Sequence, residues 1–156
     1  MRLIAVGRMR NGPEATLFRH LQQQIRPALV LTEIAEARGN PDEIRQREAR
    51  AILDALPERA LLVALDQGGD MIDTASFASA LERWLCGQRT LCFAIGGAEG
   101  FDRSVLDRAD SVMSLSRMTW PHRLVRVMLA EQIFRARAIT SGHPYHRAGR
   151  PDERKR

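Results

Sequence analysis

The chain has 156 residues, of which 44% are hydrophobic and 28% charged, values typical of one compact globular domain. The longest apolar run, residues 60–65, is far shorter than a membrane helix of roughly 20 residues, and residues 3–6 are too short for a secretory signal, so we expect a cytoplasmic protein. Cys86 and Cys92 lack metal-ligand spacing and a nearby histidine, which predicts two buried free thiols and no metal centre.

The formal charge of +5 is distributed unevenly along the chain. Residues 1–116 contain 14 basic and 16 acidic side chains, whereas residues 117–156 contain 10 basic and 3 acidic ones. A basic final quarter favours a polyanionic partner, with nucleic acid the first candidate. A solvated tail, or a codon bias that leaves Lys155 the single lysine beside 23 arginines, explains the same charge without any partner.

Strand-like and helix-like patterns alternate in the first part of the chain. Continuous apolar runs predict buried strands, and apolar residues at helical spacing predict amphipathic helices. Asn40 is a predicted N-cap with Pro41 at the first helical position. In chain order we expect a strand at 2–6, a loop at 7–13, a helix from 14 to about 25, a strand at 29–34, a helix from 41 to about 56 and a strand at 60–65.

The same alternation continues to the last predicted helix. We expect a turn at 66–69, a helix capped by Asp73 or Thr74 and reaching 85, a strand at 90–95, glycine-rich residues 96–100, a short helix capped by Asp102, a strand at 111–115, a loop at 116–120, and a helix from Pro121 to about Thr140 stopped by Gly142.

Repeated alternation at this length predicts an α/β fold with a mostly parallel sheet flanked by helices. Ligands of such sheets bind beyond the carboxyl ends of the strands, which draws attention to the residues after Leu65, Ile95 and Leu115. The glycines at 96, 97 and 100 permit close approach of the backbone to a ligand, although an ordinary tight loop would use them too. Their spacing is neither the dinucleotide fingerprint nor a P-loop.

The stretch from Leu115 to His122 combines an apolar strand end, hydroxyl groups, a thioether and an indole. These side chains suit a flat heteroaromatic ligand, with Leu115 and Met118 against its faces and backbone groups at its edge. The alternative is structural, with Trp120 anchoring the start of the last helix.

The last helix is apolar on more than one side, which predicts a subunit interface and most simply a two-fold homodimer. The arginines between its apolar positions, Arg126 among them, would meet phosphates or acidic side chains. Beyond the helix, His143, Tyr145 and His146 are suited to stacking on an unpaired base, or equally to packing on a neighbouring subunit.

Several blocks of this sequence, in order and spacing, resemble the ribosomal RNA large subunit methyltransferase H family of the SPOUT methyltransferases. The resemblance implies one SPOUT domain over residues 1–146 with a trefoil knot near its carboxyl end, followed by a basic extension at 147–156. The blocks are Leu3 to Gly7, Leu65-Asp66, Ile95 to Gly100, Leu115 to His122, Leu124 to Val127, Ala130 to Gln132 and His143 to His146.

The resemblance further implies a homodimer that takes a methyl group from S-adenosylmethionine and transfers it to N3 of a pseudouridine in 23S ribosomal RNA of the assembled ribosome. It implies no metal and no membrane partner. RNA contacts are expected from Arg126, His143, Tyr145 and His146. The cofactor contacts implied by motif position are Leu65, Gly96, Leu115, Ser116, Arg117, Met118, Thr119 and Trp120.

The imide proton on N3 has to leave, and two routes are open. In one, His146 or Tyr145 takes the proton. In the other, which we prefer, arginines such as Arg126 stabilise the imide anion while water removes the proton, because nearby arginines disfavour a protonated histidine and lower the pKa of the acceptor. Two other classes compete with the methyltransferase: an RNA-binding factor without a cofactor and, less consistent with the motifs, a nucleotide-dependent oxidoreductase.

Overall fold

The computed structural model describes residues 1–142, and in this part of the chain five strands alternate with five helices, as predicted. Most boundaries agree with the sequence analysis within two residues. The elements are β1 (Arg2–Val6), α1 (Pro13–Gln24), β2 (Val30–Ile34), α2 (Pro41–Asp54), β3 (Ala60–Met71), α3 (Thr74–Cys86), β4 (Thr90–Ile95), α4 (Arg103–Arg108), β5 (Ser111–Ser114) and α5 (His122–Thr140).

The five strands form one parallel sheet in the order β2-β1-β4-β3-β5. An apolar cluster on one face packs against α1, α3 and α5, and a second cluster on the other face packs against α2 and α4. Both faces are therefore covered, which explains the continuous apolar runs 3–6 in β1, 60–65 in β3 and 91–95 in β4. Because all strands are parallel, their carboxyl ends lie along one side of the sheet, which we call the carboxyl edge.

The predicted helix caps are confirmed. Asn40, Asp73 and Asp102 each accept a hydrogen bond on the side-chain oxygen from a backbone N–H in the first turn of the helix that follows, at 3.0, 2.7 and 2.9 Å. The backbone N–H of Ser76 lowers the pKa of the Asp73 carboxyl group, whereas at Asp102 the side-chain hydroxyl of Ser104 lowers the pKa most and the backbone N–H of Ser104 adds to the effect. Each cap satisfies a donor that has no partner within its own helix.

The turn predicted at residues 66–69 is wrong in one respect, because β3 continues through this segment as a bulge. Leu65 and Asp70 both lie opposite Met113 of β5, so the residues between them are displaced from the regular ladder. A Cβ on Gly69 would stand 2.7 Å from backbone atoms of Met113, so only glycine allows this close approach. The bulge carries Asp66 and Gln67 out over the carboxyl edge.

The apolar faces of α5 do not by themselves indicate a subunit interface, because other helices of the same chain cover most of them. Val127, Leu129 and Ile133 are buried within the chain itself, because α1 and α3 both pack on this helix. Of the large apolar side chains on α5, Leu124 is exposed. The prediction of two buried thiols is also wrong at one position, since Cys92 is buried but Cys86 is exposed.

Within residues 1–142, no helix is both long and apolar enough to cross a membrane. The same part of the chain contains no group of three or more histidine, cysteine or acidic side chains placed to hold a metal ion.

Candidate functional site

The carboxyl ends of β3, β4 and β5 surround a cavity of about 550 Å³, which we call the edge cavity. This volume lies within the range of small-molecule sites. All three strand exits singled out from the sequence contribute to it. The cavity is lined by Leu65, Asp66, Gln67, Ile95, Gly96, Gly97, Ala98, Gly100, Phe101, Ser114, Leu115, Ser116, Met118, Thr119, Trp120, Pro121, His122 and Val125.

One wall of the edge cavity is the backbone of the glycine loop, residues 96–100. A Cβ on Gly97 would stand 2.5 Å from Oε2 of Glu48 and 3.1 Å from Cγ1 of Val6. A Cβ on Gly96 would lie 3.3 Å from the carbonyl carbon of Gly100. Glycine is therefore favoured at both positions, because a side chain at 97 would displace the carboxylate of Glu48 and a side chain at 96 would crowd the end of the loop itself.

Glu48 of α2 lies behind the glycine loop and was not identified by the sequence analysis. The residue is 4% exposed, and its Oε1 accepts a hydrogen bond of 3.1 Å from the backbone N–H of Ala37. Its Oε2 has no hydrogen-bond partner among residues 1–142. Burial raises the pKa of this carboxyl group, and the nearby carboxylate of Glu36 raises it further. The spacing of Glu48 from Ile52, four residues on, is the signal that places it on the buried side of α2.

The loop of residues 115–121 forms the opposite wall, and reciprocal hydrogen bonds join it to the bulge of β3. Nε2 of Gln67 donates to the carbonyl oxygen of Arg117 at 2.8 Å, and Nη1 of Arg117 donates to the carbonyl oxygen of Gln67 at 2.7 Å. Nε2 of Gln67 also donates to Oγ1 of Thr119. Because the guanidinium of Arg117 faces the bulge, this side chain holds the loop in place and does not line the edge cavity.

The structure brings together seven of the eight residues predicted to contact the cofactor, Arg117 being the exception: Leu65, Gly96, Leu115, Ser116, Met118, Thr119 and Trp120 all line the edge cavity. Met118 is 69% exposed and Trp120 is 39% exposed, so both apolar side chains remain open to a ligand. Sequence reasoning passed over His122, the first residue of α5, although it lies within the block that carried the family resemblance.

Arg126 lies away from solvent, with no exposed surface. Its Nη2 donates to the carbonyl oxygens of Val6 and Gly7 at 2.6 and 2.7 Å, and its Nη1 lies 3.2 Å from Oε1 of Glu33. Burial lowers the pKa of this guanidinium, and Glu33 opposes that effect. The RNA contact predicted for Arg126 requires an exposure that the structure does not give it, whereas His143, Tyr145 and His146 lie outside the described residues.

Known proteins resemble this chain in sequence and in fold. A family model described as "Predicted SPOUT methyltransferase" matches residues 1–146. A protein of Gluconacetobacter diazotrophicus named ribosomal RNA large subunit methyltransferase H is 59% identical over 151 residues, which cover 97% of this chain and 99% of that protein. A protein of the same name from Acidiphilium cryptum is 48% identical over 151 residues, with 97% and 96% covered.

The solved structure of a probable methylase family protein from Haemophilus influenzae superimposes with a TM-score of 0.56, covering 97% of this chain and 72% of that one. At 8% sequence identity this is a likeness of fold alone. The family model and the relatives, in contrast, match nearly the whole sequence. The chain therefore belongs to the SPOUT methyltransferases and, among them, to the ribosomal RNA large subunit methyltransferase H family.

Proposed function

We propose that this protein transfers a methyl group from S-adenosylmethionine to N3 of a pseudouridine in 23S ribosomal RNA of the assembled ribosome. The observation that carries the proposal is the edge cavity, where three strand exits, a glycine loop and an open Met118 and Trp120 meet. Membership of the family supports methyl transfer to large-subunit RNA. A ribosomal substrate would place the protein in the cytoplasm.

The residues of the edge cavity fit S-adenosylmethionine. The cavity volume of about 550 Å³ accommodates a nucleoside with an amino-acid arm. Leu65, Leu115 and Met118 offer apolar contacts to a purine, and among residues 1–142 no partner occupies the backbone N–H groups of Thr119 and Trp120. The carboxylate of Asp66 at the rim would accept a hydrogen bond from a hydroxyl or ammonium group.

S-adenosylmethionine supplies a methyl group that is already activated on a sulfonium centre. The chain has to orient that group and to assist loss of the imide proton from the acceptor. Tyr145 and His146 remain the predicted proton acceptors, and within the described residues His122 brings an imidazole to the cavity lining. The contribution of Arg126 is to hold the exit of β1, because its guanidinium is already bonded to Val6 and Gly7.

We further propose that residues 1–146 form one SPOUT domain with the family's trefoil knot, that residues 147–156 are a basic extension, and that the protein acts as a homodimer. The match of the SPOUT family model to residues 1–146 supports the single domain and, through the family, the knot. Exposed Leu17 and Ile72, at 49% and 39%, support the dimer, since both line a second cavity of about 620 Å³ beside α5.

Two measurements test the function. Isothermal titration calorimetry with S-adenosylhomocysteine should give one site per chain, whereas an RNA-binding factor without a cofactor would give no heat of binding. Mass mapping of 23S RNA from cells lacking the protein should show the loss of one methyl group on a pseudouridine. Restoration by the wild-type chain but not by a Gly97→Ala chain would assign the modification to the edge cavity. An unchanged methylation pattern in the deletion strain would overturn the proposal.

A further inference from the structure

Next to the edge cavity, four exposed arginines surround a second feature of the carboxyl edge. Arg8 and Arg10 follow β1, Arg38 follows β2, and Arg123 lies in the first turn of α5. Together with Ala35, Glu36 and Ala37 they line a cleft of about 310 Å³, which we call the arginine cleft. Arg8, Arg10 and Arg38 belong to residues 1–116, whose formal charge is negative, so the uneven charge along the chain does not reveal this cluster.

The four guanidinium groups are free to bind a ligand. Among residues 1–142 none of them forms a hydrogen bond or ion pair, although eight ion pairs link other arginines to acidic side chains in that part of the chain. Glu36 is the acidic residue in the lining, and its carboxylate lies towards Gly7 and the buried Arg126. Four cations against one anion leave the cleft strongly positive.

The backbone beneath these arginines is fixed. The N–H of Met9, between Arg8 and Arg10, donates to Oε1 of Glu33 at 2.5 Å. On the other side, the N–H of Ala37 donates to Glu48, and the carbonyl oxygen of Arg38 accepts a hydrogen bond of 2.8 Å from Arg47. The side chains of Glu33, Glu48 and Arg47 therefore anchor the main chain, while the four arginine side chains of the cleft stay unpaired within the described residues. Such preorganisation lowers the entropic cost of binding an anion.

The start of α5 adds a further preference for negative charge. No side chain caps this helix, and its first turn contains no acidic residue but holds Arg123. The positive end of the helix dipole and a cation in the first turn repel each other, and a bound anion would remove that repulsion. His122 and Arg123 are consecutive, and the first lines the edge cavity while the second lines the arginine cleft.

We propose that the arginine cleft binds phosphates of the ribosomal RNA strand whose target base enters the edge cavity, an inference that rests on the proposed function. The order β2-β1-β4-β3-β5 places the cleft beyond β1 and β2 and the cavity beyond β4, β3 and β5, side by side on one edge. Guanidinium groups match phosphate oxygens in two-point hydrogen bonding, which suits this cleft to a nucleic-acid backbone.

The test compares two triple variants that remove the same charge. Arg8→Gln/Arg10→Gln/Arg38→Gln neutralises the cleft, and Arg50→Gln/Arg59→Gln/Arg83→Gln neutralises exposed arginines outside it. Binding to assembled ribosomes whose 23S RNA lacks the modification is measured from 50 to 300 mM salt, together with methylation kinetics and titration of S-adenosylhomocysteine. The last measurement shows whether each variant still folds.

We expect the cleft variant to raise KM for assembled ribosomes about tenfold, to leave kcat and the affinity for S-adenosylhomocysteine within about twofold of wild type, and to reduce the slope of log K against log salt by about 2. The control variant should lose far less of that slope. Equal slopes and equal KM values for the two variants would overturn the proposal. If the wild-type chain transfers no methyl group, the proposed function fails instead, and the binding slopes still decide whether the cleft contacts RNA.

Discussion

Nη2 of Arg126 in α5 donates to the carbonyl oxygen of Val6 at 2.6 Å, across 120 positions of the sequence. The same guanidinium binds Gly7 and Glu33, and Glu33 in turn holds the backbone N–H of Met9. One buried side chain thus connects the last helix to the exits of β1 and β2. The contact fixes the part of the carboxyl edge that supports the arginine cleft.

Arg126→Ala should therefore lower turnover on assembled ribosomes while leaving the affinity for S-adenosylhomocysteine near the wild-type value. The substitution removes donors from two buried carbonyl oxygens and should cost about 3 kcal/mol of unfolding free energy in urea titrations. Arg126→Lys keeps a charge but loses the forked geometry, so we expect an intermediate loss. Equal losses of turnover and cofactor affinity in single-turnover and titration assays would contradict this assignment.

Gly97→Ala should weaken the binding of S-adenosylhomocysteine about tenfold, because the new methyl group meets Oε2 of Glu48 and Cγ1 of Val6 and pushes the glycine loop into the edge cavity. Calorimetry measures the affinity and thermal unfolding measures the accompanying strain. Gly87→Ala is the matched control, since a Cβ at that position meets its nearest atom at 3.6 Å.

The mechanism of the Gly97→Ala effect can be tested in a double-mutant cycle. Glu48→Ala removes the carboxylate that the new methyl group meets, so the double variant should lose less affinity than the sum of the two single variants. Strict additivity would show that the glycine loop is not displaced against Glu48.

Glu48 should make stability depend on pH in the weakly acidic range. Because burial raises the pKa of this carboxyl group above the ordinary value of 4.5, the folded chain holds its proton more tightly than the unfolded chain. The resulting stabilisation is present below pH 4.5 and is lost as the pH rises through the folded-state pKa. Removing the negative charge of Glu48 should therefore increase the free energy of unfolding most at neutral pH.

Urea unfolding of Glu48→Gln at several pH values checks this expectation. The amide does not titrate and keeps an oxygen for the N–H of Ala37, so the stability of the variant relative to wild type should increase with pH above 4.5 and then level off. Exposed Glu58→Gln provides the control. Parallel pH profiles for wild type and Glu48→Gln would refute the role of burial.

Gln67→Ala should loosen the 115–121 loop. The substitution removes the side-chain donor to the carbonyl oxygen of Arg117 and to Oγ1 of Thr119, and the exposed position of Gln67 keeps the cost in stability small, about 1 kcal/mol. We expect a five- to tenfold loss of affinity for S-adenosylhomocysteine with a nearly unchanged melting temperature. Gln46→Ala, at an exposed position of α2, should change neither quantity.

Ile72→Asp should prevent formation of the proposed homodimer, because the charge would lie in the apolar surface beside α5. Light scattering coupled to size exclusion measures the mass directly. Val30 is 55% exposed but lies on edge strand β2, away from this surface, so Val30→Asp serves as the control and should leave the mass unchanged. A wild-type chain that is monomeric at micromolar concentration would contradict the proposed dimer.

The features that depend on neighbouring residues could be predicted from sequence. Asn40 and Asp73 cap helices through hydrogen bonds to residues three positions away, so side-chain chemistry is sufficient to locate them. The three strand exits were found for the same reason, since apolar runs end at Leu65, Ile95 and Leu115. The parallel sheet then places these exits on one edge.

The features that depend on distant pairing could not be predicted in this way. The bulge of β3 arises because Leu65 and Asp70 share one partner, Met113; Gly69 permits the close approach, but residues 66–69 alone do not identify that partner. The burial of Arg126 could not be predicted because its partners Val6 and Gly7 lie at the opposite end of the chain. The arginine cleft was missed for a related reason, since it gathers residues from three separate elements.

The contact between Val6 and Arg126 also constrains when the protein becomes competent during its own synthesis. A growing polypeptide presents β1 almost immediately, but the helix that secures this strand is made near the end. Premature termination ahead of α5 would yield fragments with an unsecured first strand and exposed faces on α1 and α3, prone to association and proteolysis. The edge cavity is therefore completed only in a late step, because His122 and Val125 of α5 contribute to its lining.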